Sequence, residues 1–417
     1  YTVFDPEKVK STDVVEMKKL FAGGFAYHST VGLSRLLAHP DHRVRLKAQF
    51  LIARQAAGEP KAGLTVGVLE NVLAKFPDPL ARVHAVWALG QIGRAHPAAL
   101  TPVVNTLADT DPELRAQAAK VLGDAKPAGA EAKLVALLTD PAPRVRFFAA
   151  QALGRLKHEP AVGPLFALLA ENKDADVYLR HAAVTALARI GAADVAAAKA
   201  TDPSPHVRLG AVLVLRKLAD KRLASFLADA DPLVRTEAGR AIHDLPIEDA
   251  YPQLADELAK LAAFPIPDGD PLARRAISAA YRLGGADRAR AVLAVVTNPN
   301  FSPAVRAEAL AAVRDWAAPP QRDRVTGFPI TLPPRDPAAV RGVVEAAVPT
   351  LLAKTTGKLQ ADVLGLMLAA GVRADEATFA AWAVDPARDP NTRVAAVALL
   401  AERKSAKAAA VLDAALT

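Results

Sequence analysis

The 417-residue sequence contains no cysteine. That removes disulfides, thiol nucleophiles, cysteine-ligated zinc and covalent haem attachment from the chain itself, and leaves its compartment open. Aromatic residues are scarce, at 5%, and much of the 52% hydrophobic fraction is alanine. Alanine favours helices and lets them approach closely. No stretch of about 18 apolar residues runs free of charge, so no membrane span is expected, and no secretory leader is read. Long lysine or arginine runs are missing too, although the net charge is +8. That balance fits a basic solvated surface better than a dedicated polyanion stripe. No glycine-rich phosphate loop, Gly-x-Ser-x-Gly elbow or dinucleotide fingerprint is present, and the nine histidines show no metal-ligand spacing. Most aspartates read as helix caps, so no carboxylate pair stands out as catalytic.

What is abundant is one local pattern. Asp111-Pro112-Glu113-Leu114-Arg115 opens a run with Ala118 and Leu122 at helical spacing. Asp can accept a hydrogen bond from a free helix-end amide, and Pro at the first helical position lacks the N–H that would be unpaired there. The 32 prolines are thereby largely accounted for as punctuation.

The pattern recurs at Arg45, Arg82, Arg115, Arg146, Arg180, Arg208, Arg235, Arg274, Arg306 and Arg393. Spacings run from 27 to 39 residues, apart from one gap of 87 that has room for two to three repeats with poor motifs. Three residues after each arginine stands alanine, with Ile277 the exception, and seven after stands Ile, Leu, Val or Tyr. Those offsets share a helical face. Gly93, Gly123, Gly154, Gly191 and Gly284 are expected to end helices. Asp78, Asp111, Ser204, Asp231, Asp270, Ser302 and Asp389 are expected to cap them. A shorter apolar helix precedes each cap, as over 100–107, 130–138 and 162–169, so each unit is a helix pair.

Asp-Pro-x-x-Arg followed by Ala and Leu resembles HEAT repeats, of the short kind common in bacteria. The resemblance implies an all-α fold, an α-solenoid of stacked antiparallel helix pairs wound into a right-handed superhelix, with the second helices on the concave side. The arginines are then structural, pairing with capping aspartates of neighbouring repeats. The expected organisation is an extended segment and capping helix over 1–28, repeats over 29–318, a Pro-rich insertion over 319–337 and degenerate repeats over 338–417. A structureless insertion of that length is either a loop-edge excursion or a contact arm.

The residues that depart from the period are candidates for a partner surface. Two, five and nine places after the arginine, the early repeats carry Lys47, Phe50 and Arg54, then His84, Trp87 and Gln91, then Phe148, Gln151 and Arg155. Aromatic and basic side chains on one ridge suit a protein partner, or nucleic acid through stacking and phosphate contacts. Core packing of Phe50, Trp87 and Phe148 is the plain alternative.

Tyr1-Thr2-Val3-Phe4-Asp5-Pro6-Glu7 and Leu36 to Phe50 resemble the junction into the HEAT segment of haem-binding, membrane-bound dehydrogenase-like bacterial proteins. Those join a β-propeller, HEAT repeats and a c-type cytochrome domain, and are exported. The resemblance implies a non-catalytic scaffold in an extracytoplasmic protein, with no cofactor held by this chain and its partners being neighbouring domains or another protein. Beginning at Tyr1, the chain is expected to be a processed product or an excised segment. Without the resemblance a cytoplasmic location is expected. The alternatives are a basic HEAT-like nucleic-acid-binding protein and a bilin-lyase-like repeat protein.

Overall fold

The computed structural model describes residues 10–58, 62–263, 269–373 and 375–416. The extended segment expected over residues 1–10 lies almost wholly outside them. The described residues form an all-α solenoid, with one isolated antiparallel bridge, Arg322 to Pro329, and no strand. They fall into two compact units, Tyr1–Ala196 and Ala197–Thr417.

In the first unit Thr12–Phe21 precedes five helix pairs. These are Thr30–Leu36 with His42–Ala57, Gly63–Lys75 with Pro79–Ile92, Thr101–Thr106 with Pro112–Ala125, Glu131–Ala136 with Pro143–Leu156, and Val162–Asn172 with Val177–Ile190. Within this unit the second helix of each of the first four pairs packs beside the second helix of the next. The second unit repeats the scheme from Pro205–Lys217 to Ala408–Leu416. One of its first helices, Lys221–Ala228, is wholly 3₁₀.

Sequence dictates where the second helices begin. Asp41, Asp78, Asp111, Asp231 and Asp389 each accept a backbone N–H two residues on, and Ser204 and Ser302 accept one three residues on. Each such cap contributes about 1 kcal/mol. Asp270 is an exception. Gly269 occupies the cap position there, and the Asp270 carboxylate instead accepts the Ser302 hydroxyl at 2.6 Å.

The periodic positions form the core. Ala118, Ala149, Ala183, Leu122, Leu153 and Leu187 are fully buried, as are their counterparts in the second unit. Two of the expected helix-ending glycines prove to be packing residues. The Pro112–Ala125 and Pro143–Leu156 helices run past Gly123 and Gly154 and end at Lys126 and Lys157, which take the left-handed conformation themselves. A Cβ on Gly123 would lie 2.7 Å from the Cα of Ala152, and one on Gly154 would lie 2.6 Å from the Cα of Ala186. These glycines set how closely consecutive second helices approach.

The long interval between Arg306 and Arg393 holds one complete pair, Pro337–Lys354 with Gly357–Ala369, rather than two or three. The pair belongs to the degenerate repeats expected over 338–417, and its motif is poor because Gln360 stands where the arginine would. Its Nε2 donates to the Leu352 and Thr355 carbonyls, both at 2.9 Å. Arg306 and Arg393 make the same kind of bond, to the Val296 and Ala383 carbonyls. The interval also holds the insertion and, nearer Arg393, the first helix of the next pair, Glu376–Val384. The insertion is a hooked loop laid on three second helices of its own unit, described with the site below.

Candidate functional site

The arginines come first, because they position everything else. Arg115 donates through Nη1 to the Asp109 and Thr110 carbonyls, which close the first helix of its own pair. Its other two nitrogens grip Asp140 of the next pair at 2.7 and 2.9 Å. Arg208 holds Asp229 with the same geometry. Arg82 pairs with Asp109, and Arg235 reaches Glu257. The acceptors are not the capping aspartates expected from sequence. Asp109, Asp140 and Asp229 each stand two residues before the cap and also accept the cap residue's own N–H, at 2.8 to 2.9 Å. At the Asp109–Asp111 and Asp229–Asp231 turns two carboxylates therefore do separate jobs. The first locks the turn and takes the arginine, and the second caps the helix. Ala142 leaves its helix without a side-chain cap. Burial works against the Asp140 charge, yet Arg115 and the Ala142 N–H still hold its carboxyl below the usual range.

The aligned second helices of the first three pairs enclose a groove of about 370 Å³. That is within the size range of small-ligand and peptide-anchor sites. Phe50, Trp87 and Gln91 line it, together with Leu46, Lys120 and Val121. Phe50 is 48% exposed and Leu46 39% exposed, so neither is core. Lys47 and Arg54 are exposed on the same helix, three and four residues from Phe50 and hence on its side. Lys120 and Asp124 stand five and nine places after Arg115, the same offsets that singled out the other candidates. The expected partner surface did not include that repeat.

The other candidates serve differently. His84 is only 6% exposed. Arg45 Nε donates to its Nε2 at 3.2 Å, so Nδ1 carries the hydrogen and donates to Gln49 Oε1 at 2.8 Å. Burial first, and the Arg45 charge second, push its pKa down to about 4. The ring also meets Trp87 edge-on, with centroids 5.1 Å apart. Trp87 Nε1 donates to Gln117 Oε1 at 2.9 Å, Gln117 donates to Glu113, and Arg144 donates to Glu113 while lying 5.0 Å over the Phe148 ring. A polar relay thus crosses three repeats and fixes the Trp87 indole. Phe148 and Gln151 are half-buried outside the groove, and Arg155 closes its edge by pairing with Asp124.

A second constellation lies in the other unit. His243 bonds Asp244 through Nδ1 and Ser278 Oγ through Nε2, both at 2.9 Å. The order Asp–His–Ser is that of a nucleophilic triad. The surroundings are not. Ser278 also donates to Asp323 at 3.1 Å, and Arg282 Nη2 donates to Asp323 at 2.7 Å. Ser278, His243 and Asp323 are all buried, and the space beside them is about 10 Å³, which holds at most one water. The cluster is the anchor of the insertion. Asp323 Oδ1 accepts the Val325 and Thr326 N–H groups and so shapes the turn that its Oδ2 docks. Arg324 adds pairs to Glu308 and Asp315. Burial opposes ionisation of Asp323, but His243, Arg282 and the Thr326 N–H outweigh it and hold the carboxyl far below the usual range. Asp244, bonded to His243 and Arg275, lies at about 2 despite its burial.

Residues 100–177 match the family of HEAT repeats, so the solenoid is built of HEAT repeats there. No curated protein matches the chain. Among solved structures, an engineered protein is similar at 20% identity and a TM-score of 0.36, over 83% of this chain and 100% of that one. The complex of CpcE and CpcF of phycocyanin lyase from Nostoc sp. PCC7120 is similar at 24% identity and a TM-score of 0.31, over 60% of this chain and 87% of that one. Kap121p is similar at 11% identity and a TM-score of 0.45, over 87% of this chain and 48% of that one. At these values the likenesses say nothing about activity.

Proposed function

We propose that this chain is a non-catalytic repeat scaffold that docks a protein partner in the groove of its first three helix pairs. The supporting observation is the pairing of two exposed apolar side chains, Leu46 and Phe50, with a Trp87 whose ring is fixed by Gln117 and His84. A rigid aromatic beside solvent-exposed apolar surface is the composition of an interaction hot spot. The closed triad-like cluster favours the same reading, since it leaves no room for a substrate. For nucleic acid a continuous basic stripe is needed. Here Arg144 and Arg155 spend their charge on Glu113 and Asp124.

The finer reading is that the partner is a neighbouring domain of a larger exported redox protein. It is supported by the resemblance carried on Leu36 to Phe50, because that stretch supplies the groove's first helix with Leu46 and Phe50. The test is site-specific photo-crosslinking of the full chain in extract of its source cells. A crosslinker at Phe50 should give discrete adducts that are lost with Trp87→Ala. One at Leu64, exposed on a first helix, should not. Equal labelling from both positions, or none from Phe50, would refute the docking site.

A further inference from the structure

We infer that the groove takes an acidic, irregular peptide segment bearing one apolar side chain. The inference rests on the docking reading above and specifies its ligand.

The first argument is a precedent within the chain. In the second unit the insertion lies across the second helices of three consecutive pairs. Counted from the ladder arginine, Asp323 meets Ser278 at the fourth place and Arg282 at the eighth, and His243 at the eighth place of the preceding helix. Arg324 meets Glu308 and Asp315 at the second and ninth places of the following helix. In the first unit the groove is lined at these or adjacent places, by Gln49 at the fourth, Phe50 and Trp87 at the fifth, Gly90 at the eighth and Gln91 at the ninth. One helical face is therefore used twice. In the second unit it is filled by a turn of this chain's own backbone. In the first, none of the described residues covers it.

The second argument is what anchors that turn. It is a carboxylate, held by donors on the helices and at the same time shaping its own loop through the Val325 and Thr326 amides. In the second unit, then, this face holds an irregular turn by an aspartate, although the Ser278, Arg282 and His243 donors themselves are not repeated in the groove.

The third argument is charge. Lys47, Arg54, Arg94 and Lys120 are all exposed on the groove helices, and none makes an ion pair among the described residues. The nearby carboxylates are already taken, Asp124 by Arg155 and Glu113 by Arg144. Four uncompensated cations around an apolar floor complement acidic residues flanking an apolar one.

Fluorescence anisotropy with the full chain tests this. The probes are a fluorescein-labelled nine-residue peptide with aspartates and glutamates flanking a central leucine, and its counterpart with every acid replaced by its amide. The acidic peptide should bind about tenfold more tightly than the amide peptide. Arg94→Glu with Lys120→Glu should erase that difference. Both residues are exposed and unpaired, and circular dichroism would check that the fold is intact. Leu46→Ser with Phe50→Ser should weaken both peptides. Equal affinity for the two peptides overturns the acidic preference and leaves the docking site standing. Binding of neither peptide, with Phe50 crosslinks still forming, has the same meaning. Tighter binding of a twelve-nucleotide single-stranded DNA, lost on the same charge reversal, overturns the inference and the protein-docking reading together.

Discussion

Arg115 and Asp140 face each other across consecutive repeats in a two-pronged ion pair, Nε to Oδ2 at 2.7 Å and Nη2 to Oδ1 at 2.9 Å. Both side chains are largely buried. The third nitrogen, Nη1, stays on the carbonyls of Asp109 and Thr110. One side chain therefore closes its own pair and ties it to the next. Asp140→Ala removes the arginine's partner and the lock on the Ala142 N–H together. The expected loss is about 2–3 kcal/mol in urea unfolding. Asp111→Ala removes only a cap and should cost about 1 kcal/mol. Equal losses would contradict the division of labour between the two carboxylates.

Gly123 and Gly154 stand where a side chain would strike backbone of the next helix. Gly154→Val should destabilise by roughly 3 kcal/mol, because the obstacle is the Cα of Ala186 and not a flexible side chain. Gly163, whose added Cβ meets nothing, is the control. Gly163→Ala should be neutral or slightly stabilising in the same melt.

His84 titrates in the acid range in the folded state, at about 4, against about 6.5 when unfolded. The unfolded chain therefore takes up the proton first. The stability this residue contributes is complete above about pH 6.5 and is lost as pH falls toward 4. Over that interval the wild type should lose on the order of 2 kcal/mol relative to His84→Gln. Parallel pH curves for the two proteins would refute the buried, neutral imidazole.

Asp323 and Asp244 have folded-state values below those of the unfolded chain, so they stabilise above about pH 4. Their contribution falls away below that, and for Asp244 it does so toward pH 2. Asp323→Asn leaves Arg282 facing an amide and should release the insertion at neutral pH. Hydrogen exchange at Asp323 and Gly327, whose N–H groups bond the Phe328 and Asp323 carbonyls, should accelerate at least tenfold. Unchanged protection would mean that the Arg324 and Arg335 contacts hold the loop without Asp323.

Much of the repeat architecture was legible, because it is written in local chemistry. A cap, a proline at the first helical position and an apolar period of three and four act within one helix and need no knowledge of neighbours. Asp78, Pro79, Ala85 and Leu89 take the places such rules assign them. The rules misled where one residue type has two uses. Gly123 resembles a helix end in sequence, and only the approach of Ala152 makes it a contact. Pro112 marks Asp111 as the cap, but nothing local marks Asp109, two residues earlier, as the acceptor for Arg82.

The site was legible in part. Offsets from the arginine found Phe50, Trp87 and Gln91, and the same offsets from Arg115 would have found Lys120 and Asp124. Nothing local marks His84 as buried and bonded to Gln49, thirty-five residues away. Nothing local sends Asp323 to Ser278, forty-five residues back. The sequence by itself determined that this chain forms capped helix pairs with alanine and leucine inside, since those preferences are short-range. Tertiary structure alone decided where the second-helix face is filled by the insertion and where, among the described residues, it is left as an open groove. That outcome depends on contacts between residues far apart in the chain, which no local pattern encodes.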